Sequence, residues 1–341
     1  MAKTVLTTSI TGFLGAQILD DLIKNGYKVH ATVRDLSKGQ QLIKRYEGED
    51  IKLFVVPDLI HGDIKDALKG VDAVLHVASP YTFKITDPKK DLLDPAIEGT
   101  LNVLRQAQAA GVTRVVVTSS FAAVNNFKAG GIRRDYTYTE SDWNPATYEE
   151  AAAPDVQGAY AYSASKKLAE KAAWDFAKEH PEMQITTLNP PMIYGPSLHQ
   201  IPTEASVNTS TGNIWNLISG KTATLPDNRL PLFCDARDVS TAHLRALERP
   251  ESIGTRVLLC GGAFTWEKAA EFLKQQRPAL AEKLPKPNPN AAPIEHLAKM
   301  DTTVAKEKLG MDSFIDWQTT LLDTVDDLVN NHAKNWQNGR L

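Results

Sequence analysis

Cysteine is almost missing from this chain of 341 residues: there are two, Cys234 and Cys260. Two cannot build the disulfide framework of a small secreted fold, and no C-x-x-C spacing or His/Cys cluster marks a metal site. An excess of one charge is also missing. A net charge of -3, with charged residues at 23%, gives no electrostatic reason to expect nucleic acid or an acidic membrane surface as partner. No run approaches the ~20 apolar residues that a membrane span needs. The N-terminal residues lack the basic start, long apolar core and cleavage site of a secretory signal. What is present is ordinary for a soluble globular enzyme: 42% apolar residues, in a chain long enough for one large domain or two smaller ones. A reduced, cytoplasmic setting is the expectation.

Short apolar runs alternate with helical patterns through the first half. Strands are expected at Val5–Thr8, Val29–Val33, Leu53–Val56, Ala73–Val77, Val115–Thr118 and Ile185–Leu188. Helices are expected at Gly15–Asn25, Asp91–Ala110 and Ser163–Glu179, the first two stopped by Gly26 and Gly111 and the third before Pro181. Glycine just past a helix supplies the left-handed cap. This alternation implies an α/β fold, a Rossmann-type doubly wound parallel sheet covered by helices on both faces. After Asn189 the texture changes, with prolines at 190, 191 and 196 and a small, polar stretch at Thr203–Thr211. A strand returns near Arg256–Cys260, and the remainder reads as mostly helical, broken by LPKPNPNAAP at 284–293. We therefore expect residues 1–189, with 233–262 returning to them, to form the dinucleotide-binding domain. Residues 190–232 and 263–341 should form a smaller, mostly helical C-terminal substrate lobe. There are no internal repeats and no low-complexity tails.

Three motifs carry chemistry. TVLTTSITGFLGAQI (Thr4–Ile18) runs from a strand into a glycine turn that opens a helix, the layout that holds a dinucleotide pyrophosphate. Ser9 stands where that fingerprint has its first glycine, and it fits if the backbone there keeps a negative φ. At the end of the second strand, NAD enzymes place an acid on the ribose hydroxyls. Here stand Val33, Arg34 and, one turn on, Lys38. Two cations suit a 2′-phosphate, so NADPH is expected; the plain alternative is a solvated pair with Asp35 neutralising Arg34.

YAYSASKKLAEKAAW (160–174) puts Tyr162 and Lys166 at i and i+4 on one helix face. A free phenol has a pKa of about 10. A neighbouring ammonium favours phenolate and turns the tyrosine into a usable proton donor to a carbonyl oxygen. Tyr160 has Ala164 at i+4 and reads as a packing residue. Upstream, RVVVTSSFAAV (114–124) is a buried strand ending in two serines, where a hydroxyl would point into the ligand crevice. A cap or strand-end turn is the bland reading of that pair.

With these motifs on the page, the chain resembles the extended short-chain dehydrogenase/reductases, in the branch of dihydroflavonol reductases and yeast NADPH-dependent methylglyoxal and carbonyl reductases. The likeness runs through TSITGFLG, VLHVASP (74–80), DLLDPAIEGTLNVL (91–104), VVVTSS, DWNPAT (142–147), YSASKKLAEKAAW, LNPPMIYGP (188–196), NTS (208–210) and DARDVSTAHL (235–244). It implies Tyr162 as proton donor, Lys166 as its modulator on the nicotinamide ribose and Ser120 orienting the carbonyl. Thr11, Gly12, Phe13 and Leu14 would line the pyrophosphate, with Ser9 beside it and Arg34 and Lys38 on the 2′-phosphate. Asp58 and Leu59 would flank adenine, Ala78 and Ser79 the adenosine ribose, and Pro190, Met192 and Ile193 the nicotinamide. His76 is expected to be a packed histidine. The substrate pocket should draw on Tyr81, Phe83, Phe121, Met192, Tyr194, Asn208 and Trp215. The likeness implies NADPH/NADP+ as cofactor, a small-molecule carbonyl substrate, no metal, and a monomer or homodimer. Rival expectations are a nucleotide-sugar epimerase or dehydratase and a redox sensor that binds NADPH without turnover.

Overall fold

The computed structural model describes residues 3–127, 131–289 and 296–337; part of the proline-rich 284–293 stretch thus lies outside the described residues. Seven strands make the central sheet: β1 (Thr4–Thr8), β2 (Lys28–Val33), β3 (Ile51–Val55), β4 (Ala73–His76), β5 (Arg114–Thr118), β7 (Gln184–Asn189) and β10 (Arg256–Leu258). Their spatial order is β10-β7-β5-β4-β1-β2-β3, and every neighbouring pair is parallel. The order reverses between β1 and β4, the switch point of a Rossmann-type sheet. β6 (Thr137–Tyr138) pairs with β12 (Lys299–Met300), and β8 (Met192–Tyr194), β9 (Leu232–Asp235) and β11 (Gly262–Ala263) form a three-stranded sheet. These short pairs were not foreseen, because two or three residues give no readable periodicity.

Two apolar layers cover the sheet. On one face Ile18, Leu19 and Leu22 of the helix Phe13–Lys24 pack with Val239 and Ala242 of Ala236–Glu248 and Leu309 of Thr303–Leu309. On the other, Val103 and Leu104 of Asp94–Ala109 meet Ala173 and Phe176 of Gly158–Glu179. Gly26 and Gly111, at φ 75° and 74°, stop the helices that precede them as the left-handed cap requires. The third expected helix begins five residues earlier than read, at Gly158. A Cβ on Gly158 would lie 2.1 Å from the Phe83 carbonyl oxygen, so glycine there lets the loop before the 94–109 helix rest on the start of the 158–179 helix. A third apolar cluster, with Ile214, Leu217, Phe233, Phe264, Trp266, Leu321 and Val325, builds the lobe beyond the sheet.

Arg114 staples the sheet at the start of β5. Its guanidinium, 8% exposed, donates to the carbonyls of Gln184 (2.6 Å) and Ala246 and to the hydroxyls of Thr186 (2.9 Å) and Ser252 (2.8 Å). Arg114→Ala leaves these buried acceptors unsatisfied, and hydrogen bonds to a charged group contribute about 1.5–3 kcal/mol each. We expect the urea midpoint to fall by at least that of one such bond; an unchanged midpoint would mean that water replaces the guanidinium.

Candidate active site

The crevice opens at the carboxyl ends of β1, β4 and β5. The half that the likeness assigns to adenosine, about 380 Å³, is lined by Ser9, Thr11, Arg34, Asp58, Leu59, Ala78 and Ser79, joined by Thr100 from the 94–109 helix. The other half, about 440 Å³, is mostly apolar and is lined by Gly12, Phe13, Leu14, Ser120, Tyr162, Lys166, Pro190, Met192 and Ile193. Of the expected cofactor contacts, Lys38 alone stands outside both cavities, exposed in the first turn of Leu36–Ile43. Gly39, the next residue, is the one that packs against the sheet beside Val33 and Leu53, which leaves Lys38 on the solvent side.

The glycine turn differs from expectation. Ser9 has φ 67°, not the negative value that would suit an L-residue. Its N–H donates to Thr32 O at 3.2 Å, which holds the chain in the left-handed region that glycine normally supplies. Its carbonyl lies 2.0 Å from where a Cβ on Gly15 would sit, so Gly15 is obligatory. The helix Phe13–Lys24 starts at Gly12 with no side-chain cap and no acid in its first turn. Its first N–H groups are thus available to an anion.

Asp35 is turned away from Arg34. It caps the 36–43 helix, accepting from Ser37 N (2.8 Å), Ser37 Oγ (2.6 Å) and Lys38 N (3.4 Å). Arg34 makes no ion pair with a described residue. No acid faces the ribose position from the end of β2, and a guanidinium is left to meet a phosphate.

The two serines divide the work of the β5 end. Ser119 Oγ donates inward to Glu170 Oε2 at 2.5 Å. Ser120, in extended backbone, accepts from Ala122 N at 3.1 Å and caps the turn Phe121–Ala123. A hydroxyl that accepts there still has its proton to give, and it is hydrogen-bonded to Tyr162. The capping and ligand-facing readings of this serine therefore hold together.

Tyr162 is half-buried, with Tyr81 and Phe83 edge-on to its ring at 5.0 and 5.5 Å. Burial, aided by the Tyr81 hydroxyl, pushes its phenol well above the usual tyrosine range, against the pull of Ser120. The acidification expected from Lys166 is not seen. Burial pushes the Lys166 ammonium down to about 8, opposed by the Glu170 carboxylate, and it makes no hydrogen bond to a described residue. A buried ammonium without a partner has strong reason to bind a hydroxyl or anion.

His76 is packed, as expected, though it also lines the adenosine half. Thr8 Oγ1 accepts from Val77 N and Ala78 N, both at 2.9 Å, so its proton goes to His76 Nδ1 at 3.2 Å. Nε2 then donates to Thr100 Oγ1 at 3.3 Å. Burial holds this imidazole neutral, with its pKa down to about 4. Tyr160, also a packing residue, sits against Ala164 and donates to Glu150 Oε2 at 2.9 Å.

On the substrate side the cavity gathers Tyr81, Phe83, Phe121, Met192 and Asn208 but excludes two expected residues. Tyr194 is 3% exposed and packs with Phe264 and Trp266, at 5.7 and 6.3 Å. Trp215 turns toward Trp336, with ring centroids 5.0 Å apart. Both are pocket residues by the likeness alone, and the aromatic core of the lobe claims them instead. Missed were Phe127, Leu230, Thr209 and Ser210. The Asn208–Thr209–Ser210 run is a helix-start pattern that could have flagged the last two, since Asn208 is the N-cap of Thr209–Ile218. Phe127 and Leu230 arrive from loops with no such signal.

Sheet order, glycine turn and crevice define a dinucleotide-binding α/β protein of the Rossmann type. The NAD dependent epimerase/dehydratase family model matches residues 5–261, and the chain belongs to that family. It is 32% identical over 344 residues to an NADPH-dependent methylglyoxal reductase of Saccharomyces cerevisiae, covering 96% of this chain and 98% of that one. A ketoreductase of Aspergillus niger is 36% identical over 345 residues, covering 96% and 98%. Among solved structures, yeast methylglyoxal/isovaleraldehyde reductase complexed with NADPH matches with TM-score 0.83 and 31% identity, over 99% of this chain and 100% of that one.

Replacing Ser9 by glycine should relieve the left-handed backbone, which costs an L-residue roughly 1–2 kcal/mol. Glycine gives back about 0.5–1 kcal/mol through unfolded-chain entropy. The net expectation for Ser9→Gly is a higher thermal midpoint, a somewhat lower dissociation constant for NADPH and kcat within about twofold. A lower midpoint with weaker NADPH binding in a calorimetric titration would assign the hydroxyl a phosphate contact.

Proposed function

We propose that this protein is an NADPH-dependent reductase of aldehydes and ketones, with Ser120, Tyr162 and Lys166 carrying the proton chemistry. The observation that carries this reading is the meeting of the Ser120 hydroxyl, the half-buried Tyr162 phenol and the Lys166 ammonium, which makes no hydrogen bond to a described residue, at a mostly apolar cavity. Bound NADPH would supply the hydride and the electrons. Ser120, its oxygen engaged by Ala122 N–H, donates to the carbonyl oxygen and sets its position. Tyr162 gives the same oxygen its proton as negative charge develops there, and its high affinity for that proton keeps it loaded at neutral pH. Lys166 holds the nicotinamide ribose and, with its charge, eases the departure of the proton. The aromatic rings of Tyr81, Phe83 and Phe121 favour an apolar carbonyl substrate over a nucleotide sugar.

The residues fit the cofactor at three points: uncapped N–H groups at the 13–24 helix, an unpaired Arg34, and the lone Lys166 ammonium. In this reading residues 1–189 and 233–262 hold NADPH, while 190–232 and 263–341 cover the substrate. Met192, Asn208, Thr209 and Leu230 reach the cavity from the covering part. An epimerase would keep NAD tightly bound, which Asp35 in its cap and Arg34 at the strand end do not favour. A sensor without turnover has no use for the tyrosine–lysine pair. No described helix is long and apolar enough to cross a membrane. Two free, buried cysteines suit a reducing cytoplasm, where the same proposal places the protein as a monomer or homodimer acting on a small molecule, not on nucleic acid.

Protein, NADPH and a panel of small aldehydes, followed by the absorbance of reduced nicotinamide, test the reading directly: consumption is expected with NADPH and much less with NADH. Tyr162→Phe keeps the ring and removes the acid, so turnover should drop by ~10²–10⁴-fold with NADPH binding retained. A variant holding half of the wild-type kcat would move the proton donor elsewhere. Arg34→Ala should raise KM for NADPH by roughly ten-fold or more, the loss of a charge-assisted contact of 1.5–3 kcal/mol, and leave KM for NADH nearly unchanged. Equal losses for both cofactors would make Arg34 a structural residue.

A further inference from the structure

One turn beyond Lys166 the same helix carries a carboxylate that none of these roles uses. Tyr162, Lys166 and Glu170 stand at i, i+4 and i+8 along one stripe of the 158–179 helix. Glu170 is 1% exposed. Its Oε2 accepts from Ser119 Oγ at 2.5 Å and Asn189 Nδ2 at 2.7 Å, and its Oε1 from Thr187 Oγ1 at 3.0 Å. Asn189 Nδ2 also donates to the Ser120 carbonyl at 3.2 Å. The ends of β5 and β7 are thereby tied to the helix that bears the tyrosine. From β10, Arg256 Nε meets Glu170 Oε1 at 2.7 Å, and its guanidinium lies 3.7 Å over the Trp143 ring. It also donates to the carbonyls of Glu140 (2.9 Å) and Ala123 (3.2 Å).

A buried ion pair of this sort is a poor stabiliser, since apolar side chains of the same volume hold a helix to a sheet equally well. Its place beside Lys166 gives it a use. Glu170 from its own helix and His76 from β4 interact electrostatically with the ammonium; Tyr162 shares its helix stripe and cavity, with Tyr81 against Tyr162 and Arg256 paired to Glu170. His76 is neutral and both phenols hold their protons. Among these groups the negative charge is that of Glu170.

We infer that Glu170 is a positioning residue of the proton-transfer step: its carboxylate is the counter-charge of the Lys166 ammonium and the anchor of the Ser119–Ser120 strand end, with Arg256 moderating its field. The inference rests on the carbonyl-reductase reading and deepens it. The signs follow from Coulomb's law. Removing the Glu170 charge destabilises the Lys166 cation, so the ammonium loses its proton at lower pH. Removing the Arg256 charge, which offsets that of Glu170, acts on the ammonium in the opposite direction.

The test is the pH dependence of kcat/KM for a small aldehyde at saturating NADPH, in Glu170→Gln, Arg256→Met and the double variant, each with its melting temperature. The alkaline limb should move down by about half a pH unit or more in Glu170→Gln, move up in Arg256→Met, and return toward wild type in the double variant. Damage to packing alone would lower activity and melting temperature in both single variants and leave the limb in place. That result, or shifts of the same sign in both, overturns the inference while wild-type turnover leaves the reductase reading standing. A wild type with no turnover sinks both. If Glu170→Gln does not fold, the upward shift in Arg256→Met and its reversal in the double variant decide the matter, and its absence overturns the inference.

Discussion

Parallel strands cannot be joined by a tight turn, so each return must cross the sheet through a helix. β1 has parallel neighbours on both sides, β2 and β4, and the chain therefore covers one face with the 13–24 helix and the other with the 94–109 helix. The helices diverge above β1, and the strand ends are left open there. The site depends on this opening. β1 delivers the glycine turn, β2 ends at Arg34, β5 ends at the serines, and β7 runs into Pro190 and Pro191 at the edge of the cavity. Because the sheet is buried on both faces, these ends can shift little, and chemical groups placed on them inherit the sheet's rigidity.

Burial sets the electrostatics of the site. An ammonium, a carboxylate and a guanidinium are buried, and a phenol half-buried, within about two turns of one helix and one strand end. Burial pushes the phenol and the ammonium toward their neutral forms, while the carboxylate and the guanidinium pair with each other. The phenol stays protonated, which suits a group that must donate, and the ammonium sits low enough for small changes around it to matter.

What the sequence revealed was local. The glycine stops at 26 and 111, the strand-to-turn-to-helix layout at Thr4–Ile18 and the Tyr162/Lys166 spacing are each set within a few residues, and each stands where it was read. What it hid was tertiary. Tyr194 and Trp215 look like pocket walls in a sequence, yet the aromatic core of the lobe holds them. Ser9 gave no sign of its left-handed backbone, because the hydrogen bond that enforces it comes from β2. Glu170 reads as one more solvated charge in a lysine-rich helix, and only the arrival of Ser119, Asn189 and Arg256 from three distant segments makes it a buried acid.

The rings of Tyr81 and Phe83 rest edge-on against Tyr162, on a loop whose backbone touches Gly158. The same two side chains thus form one wall of the cavity and cover part of the phenol, although each is itself exposed. Selectivity and acid strength share a part. A smaller residue at either position admits a bulkier ketone and hydrates the phenol in the same stroke, lowering its affinity for the proton it must deliver. Met192, Asn208 and Leu230 border the same cavity without a ring against Tyr162, so changes in shape made there leave the surroundings of the phenol as they are.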